Sequence, residues 1–429
     1  MRIQRRRVVV MLLIASFFML PATVPAAGRS LADVESEIQA LREQNDRNQQ
    51  HIKELEATVG QLKTQAEQPK AEQASAGEAR PDLLRRALDK YYGEHRFLIT
   101  GYGFAQYHWD DNANSNSFAG GFNPIFLFRL NDRLLFSSEL EVKLPEDAET
   151  EVNLEFAEAD YLVNDYLTVV AGKFLLPFGE FIERLHPPWI NKLVTPPLMF
   201  REGDEGGIMP FTDLGVQLRG AVGLGYGLGA DVDYTAYIGN GPRFDTGDGE
   251  GAVGDPLTFN NNDVNRTKGF GARVGFRPLP FEWNAGRWRI GASTYDGKWG
   301  AKGDLWFTAW GLDSVYRYGD AELRGEYIST RRDLPGSLRD EREGYYIQAS
   351  YMLSQVAPSP FDRLELVARY SGQNQRQAPD GAVPHPRQVS LGLDYWITPS
   401  VVWKLEYDRD IPRDAPNNHE ILSELAVGF

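Results

Sequence analysis

The chain has 429 residues, with 60 Asp and Glu against 45 Lys and Arg, for a net charge of −15 at pH 7. That balance argues against a nucleic-acid partner, and the absence of cysteine excludes disulfides, thiolate metal sites, cysteine nucleophiles and acylation through a cysteine. Glycine (42) and the aromatics (23 Phe, 19 Tyr, 9 Trp) are abundant although mean hydropathy is −0.41, a mixture that fits a water-soluble β protein or a barrel with a wet interior.

Arg2, Arg5, Arg6 and Arg7 precede an apolar stretch over 8–24, and Val24-Pro25-Ala26-Ala27 offers small residues for cleavage. This predicts a secretory signal peptide over 1–27, with an uncleaved anchor helix as the alternative. Beyond it no apolar run reaches the roughly 18 residues that a transmembrane helix needs.

In 28–66 the spacing alternates three and four. Leu31, Ile38, Asn45, Ile52 and Val59 take the a positions of a heptad, and Val34, Leu41, Asn48, Leu55 and Leu62 take the d positions. The pattern predicts a coiled-coil stalk roughly 54 Å long, with Asn45 and Asn48 as a polar layer that fixes register. Ile and Val at a with Leu at d lean toward two strands, and a lone amphipathic helix is the competing reading. Residues 67–80 lose this periodicity and read as a linker. Leu84, Leu88 and Tyr91 then share one face of a short helix that ends before 96 and packs at, or plugs, the mouth of the domain beyond it.

From 97 to 429 the pattern becomes short alternating runs: 97–109, 123–130, 134–144, 151–163, 167–178, 213–224, 228–238, 269–277, 287–295, 305–318, 321–330, 344–353, 363–371, 387–396, 401–408 and 420–429. Val401, Trp403, Leu405 and Tyr407, for example, alternate with Lys404, Glu406 and Asp408. A soluble sandwich alternates as well, so alternation alone does not choose. The connections do: turns such as 131–133, 164–166, 319–320 and 398–400 are short, while 110–122, 179–212, 239–268, 331–343, 372–386 and 409–419 are long and hydrophilic. Short turns on one side and long loops on the other, with runs near the ten residues of a tilted spanning strand, define an outer-membrane barrel. The expected fold is an all-β transmembrane barrel of about 16 antiparallel strands, preceded by an N-terminal α-helical coiled coil. Phe429 ends the last run on the face of Ile421, Leu425 and Val427, and it resembles the terminal signal read by outer-membrane assembly machinery.

Sixteen strands leave an aqueous channel, so a pore is the economical function. Alternation puts Lys143, Lys173, Arg219, Arg273, Arg277, Arg289, Arg324, Arg369 and Lys404 on the inward faces, with the acids Glu139, Glu141, Glu155, Asp231, Asp233, Glu322, Glu326, Glu365, Asp394, Glu406, Asp408 and Glu424. Loop 179–212 is too apolar to be simply solvated. It either folds into the barrel or lies on a neighbouring one, and Glu202, Asp204 and Glu205 are its candidate constriction charges. The acids and this loop point to weak selectivity or a mild preference for cations. Of the histidines, 51 and 95 precede the barrel, and 108, 186, 385 and 419 lie toward its loop side without a nucleophile motif, so no enzyme and no cofactor is expected. Residues 245–250 lack the twelfth-position Glu of a calcium loop. A structural tether reaching the cell wall through the stalk, or a sleeve for a periplasmic partner, is the rival to a pore.

Residues 155–181, and within them Gly172-Lys173-Phe174-Leu175-Leu176-Pro177-Phe178-Gly179, are similar to a stretch of the phosphate-selective porins of the O and P type. Leu98-Ile99-Thr100-Gly101-Tyr102-Gly103 and Asp213-Leu214-Gly215-Val216-Gln217-Leu218 resemble that family too. The resemblance implies a homotrimeric sixteen-stranded porin with a three-stranded stalk in the periplasm, outer-membrane lipid and lipopolysaccharide around it, and the barrel-assembly machinery as its folding partner. Phosphate selection requires a ladder of basic lumen residues, and the mixed inward charges do not supply one.

Overall fold

The structure is a computed structural model, and it describes residues 96–111, 115–146, 149–201, 207–224, 230–244, 257–258, 265–278, 286–300, 302–377, 385–412 and 416–429. The expected signal peptide, stalk, linker and short helix, the acids Glu202, Asp204 and Glu205, and residues 245–250 lie outside the described residues. The chain divides into units 1–80 and 81–429, and every described residue belongs to the second.

Sixteen strands close into one barrel. They are β1 (Arg96–Asp110), β2 (Ser115–Arg129), β3 (Leu134–Leu144), β4 (Glu151–Asn164), β5 (Leu167–Leu175), β6 (Thr212–Gly223), β7 (Asp231–Gly239), β8 (Gly269–Arg277), β9 (Arg287–Trp299), β10 (Leu305–Tyr318), β11 (Ala321–Leu334), β12 (Leu338–Met352), β13 (Leu364–Gln377), β14 (Arg387–Thr398), β15 (Val401–Asp410) and β16 (Asn418–Gly428). Each pairs antiparallel with its neighbours in the chain, and β1 pairs with β16 to close the ring, Tyr102 opposite Gly428 and Asp110 opposite Glu420. Beyond β16, Phe429 completes the seam by exchanging backbone hydrogen bonds with Gly101 at 3.0 and 3.1 Å and stacking on Phe122. Closure leaves no unpaired sheet edge, which a bilayer would penalise.

The burial of the two faces settles what alternation alone leaves open. On β6, Leu214, Val216, Leu218 and Val222 are exposed on the outer face, while Asp213 and Gln217 are buried within the barrel. The same inversion holds on β14 and β15, where Leu391, Trp403, Leu405 and Tyr407 face outward and Ser390, Asp394, Lys404, Glu406 and Asp408 are buried inside. An apolar outside around a polar inside is the pattern of a protein whose solvent is lipid. Outward aromatics pair toward the long-loop end, as Tyr107–Phe118, Trp310–Tyr327 and Tyr345–Tyr370, and toward the short-turn end, as Phe97–Phe128. Amphipathic rings favour those two interfaces.

Local chemistry makes the short turns. Asn131 Oδ1 accepts from the amides of Arg133 (2.8 Å) and Leu134 (3.0 Å), and Asn164 Oδ1 accepts from Tyr166 at 2.9 Å, both Asx turns. Gly319, at φ 55°, supplies the left-handed residue of the two-residue turn 319–320.

Four expectations about element ends are corrected. The stretch 331–343 is not a long loop, because β11 and β12 continue as a hairpin up to a turn at Pro335–Ser337. Its charges read as a solvated loop, yet they fall opposite one another as Arg331–Glu341, Arg332–Asp340 and Asp333–Arg339, and opposite charges directly across a ladder stabilise strands that stand clear of the bilayer. Likewise β2 begins at Ser115 and β13 runs to Gln377. In the other direction β5 stops at Leu175, because Pro177 has no N–H to continue the ladder.

Candidate functional site

After β5 the chain turns off the wall and into the barrel. Leu176 N donates to Phe211 O at 2.8 Å, closing the base of a loop over 176–211. Gly179 makes the inward turn at φ 69°, its amide donating to Ser293 Oγ at 3.1 Å, and a Cβ there would collide with the Glu326 carboxylate. A single wide helical turn, Phe181–Leu185, comes next. Its amide end is held by Glu326 Oε1, which accepts from Phe181 N at 2.9 Å and from the Tyr346 hydroxyl at 2.8 Å.

This loop gives the barrel an apolar core at the long-loop end. Phe178, Phe181, Ile182, Leu185, Met199 and Phe200 bury against Tyr237, Tyr295, Trp299, Phe307, Ile328 and Tyr346 of the wall, with Phe181 and Phe200 stacked at 4.8 Å between centroids. The wall makes room with glycines on its inner face. A Cβ on Gly311 would strike Phe178, one on Gly344 would strike Met199 and Ile208, one on Gly392 would strike Leu193, and one on Gly428 would meet Trp189. Five loop side chains thus sit in seats where four strands present no side chain.

Further along, the wall's ionisable groups hold the loop. Lys192 Nζ donates to Glu365 at 2.6 Å and to Ser350 Oγ at 2.7 Å. Glu406 accepts from the amides of Val194 and Thr195 and, at 2.8 Å, from Thr195 Oγ1. Arg369 donates to the Thr195 carbonyl at 2.8 Å, and Gln373 to the Leu198 carbonyl at 2.6 Å. Lys404 bridges Glu424 at 2.8 Å and the Pro188 carbonyl. Lys404 and Glu406 are each only 1 % exposed. They and Arg369 therefore carry the loop rather than face open water.

Near the loop's entry, Arg273 pairs with Asp313 (2.8 Å), Glu180 (3.1 Å) and Asp233 (3.2 Å), and Arg289 pairs with Asp233 (2.8 Å) and Glu180 (3.1 Å). Arg324 pairs with Glu322, which also takes Arg317 at 2.5 Å. Glu183, on the helical turn, is half-buried by surface exposure but deeply enclosed by the barrel. That enclosure pushes its carboxyl above the ordinary carboxylate range, opposed by Arg184, Arg273 and Arg219.

Others of the residues named from the sequence make pairs within the wall itself. Glu139 is buried, accepting from Tyr102 OH (2.7 Å) and Asn123 (3.0 Å). Lys143 pairs with Glu141 at 3.2 Å and keeps a side-chain exposure of 32 %. Arg219 pairs with Asp160 at 2.6 Å and is 35 % exposed, and Arg277 pairs with Asp231 at 3.3 Å and is 50 % exposed. Lys173 differs. It stands opposite Ala157 and Leu214, and its ammonium donates to the Leu154 carbonyl of β4, so it is a wall contact. Sequence reading missed Glu180, Arg184, Lys192 and Thr195, which look like ordinary loop residues until the loop is placed. It also missed Arg287, which the register sets directly opposite Arg317 at the short-turn end.

No protein-family model matches this chain, and no curated protein does. Among solved structures it is similar to the anion-selective porin from Comamonas acidovorans, at 13 % identity and a TM-score of 0.52, covering 78 % of this chain and 100 % of that one. It is similar also to in-vitro folded OmpT, an outer membrane protein of Vibrio cholerae (12 %, 0.52, 78 % and 98 %), and to Salmonella typhi OmpF in complex with daunomycin (12 %, 0.51, 78 % and 98 %). At such identities the likeness concerns the fold: a sixteen-stranded transmembrane β-barrel.

Proposed function

We propose that the protein is an outer-membrane porin, a water-filled diffusion channel for small hydrophilic solutes or ions. One observation carries this reading. The inward loop is held against the inner wall by buried groups, while Lys143, Arg219 and Arg277 keep accessible charge. Most acids counted from the sequence, Glu326, Glu365, Glu406, Asp408 and Glu424 among them, are buried beneath or beside the loop and contribute little free field. Those left accessible are paired with bases, so selectivity is weak, with no basis for a mild cation preference among the described residues. The solved structures with this fold, one of them an anion-selective porin, support a channel. The 155–181 stretch supports kinship with the O and P type porins, without their phosphate filter.

The same reading includes a homotrimer whose 31–66 segments associate in the periplasm, lipopolysaccharide around the outer rim, and no catalytic role. Purified full-length protein in a planar bilayer tests it: ohmic steps with a small reversal potential under a KCl gradient are expected. A large reversal potential of either sign would refute weak selectivity.

A further inference from the structure

Where β1 meets β16, three metal-ligating side chains converge on the inner wall at the long-loop end. Atoms of His108, Asp110 and Glu420 all lie within 4.8 Å of one another. The register sets Asp110 directly opposite Glu420, and Glu420 directly opposite Asp408, so three carboxylates run side by side across β1, β16 and β15. Like charges directly across a ladder are destabilising unless something positive joins them. Asp408 is completely buried, and one of its oxygens has no hydrogen-bond partner among the described residues.

The histidine geometry indicates what that positive group is. His108 Nε2 lies 3.3 Å from Glu420 Oε2, a separation that a hydrogen bond or a shared metal ion can each give. It equals the ligand-to-ligand edge of a tetrahedral site with bonds of about 2.0–2.1 Å, which is about 3.3 Å. The other ring nitrogen, Nδ1, is 3.2 Å from Glu146 Oε1 of the 145–150 connection. A ligating histidine characteristically gives its second N–H to a carboxylate, which fixes the tautomer and raises ligand basicity.

We propose that His108, Asp110 and Glu420 form a binding site for a divalent transition-metal ion, with zinc(II) the best-fitting class, and that Glu146 orients the imidazole. One nitrogen and two oxygens suit a borderline ion rather than calcium or magnesium, which prefer oxygen alone. The ion ties the last strand to the first at the barrel's closing seam, next to the path of solutes.

The test uses full-length protein in detergent, stripped with a chelator and titrated with cobalt(II) and then zinc(II) chloride. One equivalent of cobalt should produce the visible band of a four-coordinate site, and zinc should bleach it. His108→Ala should abolish the band, Glu420→Gln should weaken binding at least 10-fold, and Glu146→Gln should weaken it about 10–100-fold without altering the number of sites. Circular dichroism and heat-modifiable migration verify the barrel in each variant. If His108→Ala does not fold, the Glu420 and Glu146 variants decide. No cobalt band and no zinc uptake by the wild type would overturn the proposal, leaving His108 as an imidazolium between two carboxylates. Unchanged binding in the Glu420 and Glu146 variants would overturn it as well.

Discussion

Replacing Glu406 by alanine should free the middle of the inward loop while leaving the barrel intact. Three donors converge on that carboxylate: the amides of Val194 and Thr195 and the Thr195 hydroxyl. Alanine cannot accept; the Thr195 hydroxyl keeps Asp408 Oδ2 at 3.1 Å, but the two amides lose their acceptor, at about 1–3 kcal/mol each. Even at the lower end the two together weaken the docked state by about 2 kcal/mol, a factor of about 30 in the open population. Arg369, fully buried beside Glu406, adds to the loss because its charge forfeits that carboxylate. The strands share none of these bonds, since the β15 ladder runs through backbone groups. Hydrogen exchange read by mass spectrometry should therefore show amides around 190–198 exchanging about 30-fold faster, with the strand amides unchanged. Single-channel records should show larger, noisier conductance. Glu406→Gln, which keeps one acceptor oxygen, should do less. Unaltered protection at 190–198 in the alanine variant would refute the anchoring role.

Filling a seat should act like removing an anchor: Gly344→Val collides with Met199 and Ile208, overpacking of this kind costs about 1–3 kcal/mol, and loop protection by hydrogen exchange should fall with strand protection kept. Neutralising Arg277, Arg287 and Arg317 together to Gln should shift the reversal potential toward cations at low salt, and the shift should fade as salt rises and the Debye length shrinks. Because the chain has no cysteine, single cysteines report topology cleanly: Gly336→Cys should label from outside intact cells and Asp132→Cys should not, and labelling at Asp132 would invert the orientation. Deleting Phe429 should lower the yield of folded barrel on gels, since its backbone bonds to Gly101 and its stacking on Phe122 complete the seam.

The strands were legible because a period of two is a local property. On β15 inward Lys404, Glu406 and Asp408 alternate with outward Trp403, Leu405 and Tyr407, and no long-range knowledge is needed to see two faces. Strand ends were less legible. At 331–343 both faces are charged, and only the register, which brings Arg331 opposite Glu341 and Asp333 opposite Arg339, turns apparent loop composition into hairpin. The position of the inward loop is a non-local fact. Its apolar residues showed that it packs somewhere, but the choice between the lumen and a neighbouring barrel rests on Gly311, Gly344, Gly392 and Gly428, the seats of Phe178, Met199, Leu193 and Trp189. Those glycines stand at inward positions of polar-lined strands, a signal present in the sequence but without meaning until partners are known. Counting inward charges misjudged the lumen for a related reason: Lys404, Arg369 and Glu406 face inward as their alternation requires, yet the loop covers them. His108, Glu146 and Glu420 meet across 312 residues of chain, and only barrel closure brings the first and last of them together.

The most direct test of the channel itself is conductance of the purified full-length protein in a planar lipid bilayer, measured for wild type and Glu406→Ala in the same salt. A diffusion pore narrowed by a wall-anchored loop should give discrete ohmic steps that become larger in the variant. Insertion of a folded barrel that passes no current in either form would contradict the pore and leave a membrane mount for the 31–66 segment in its place.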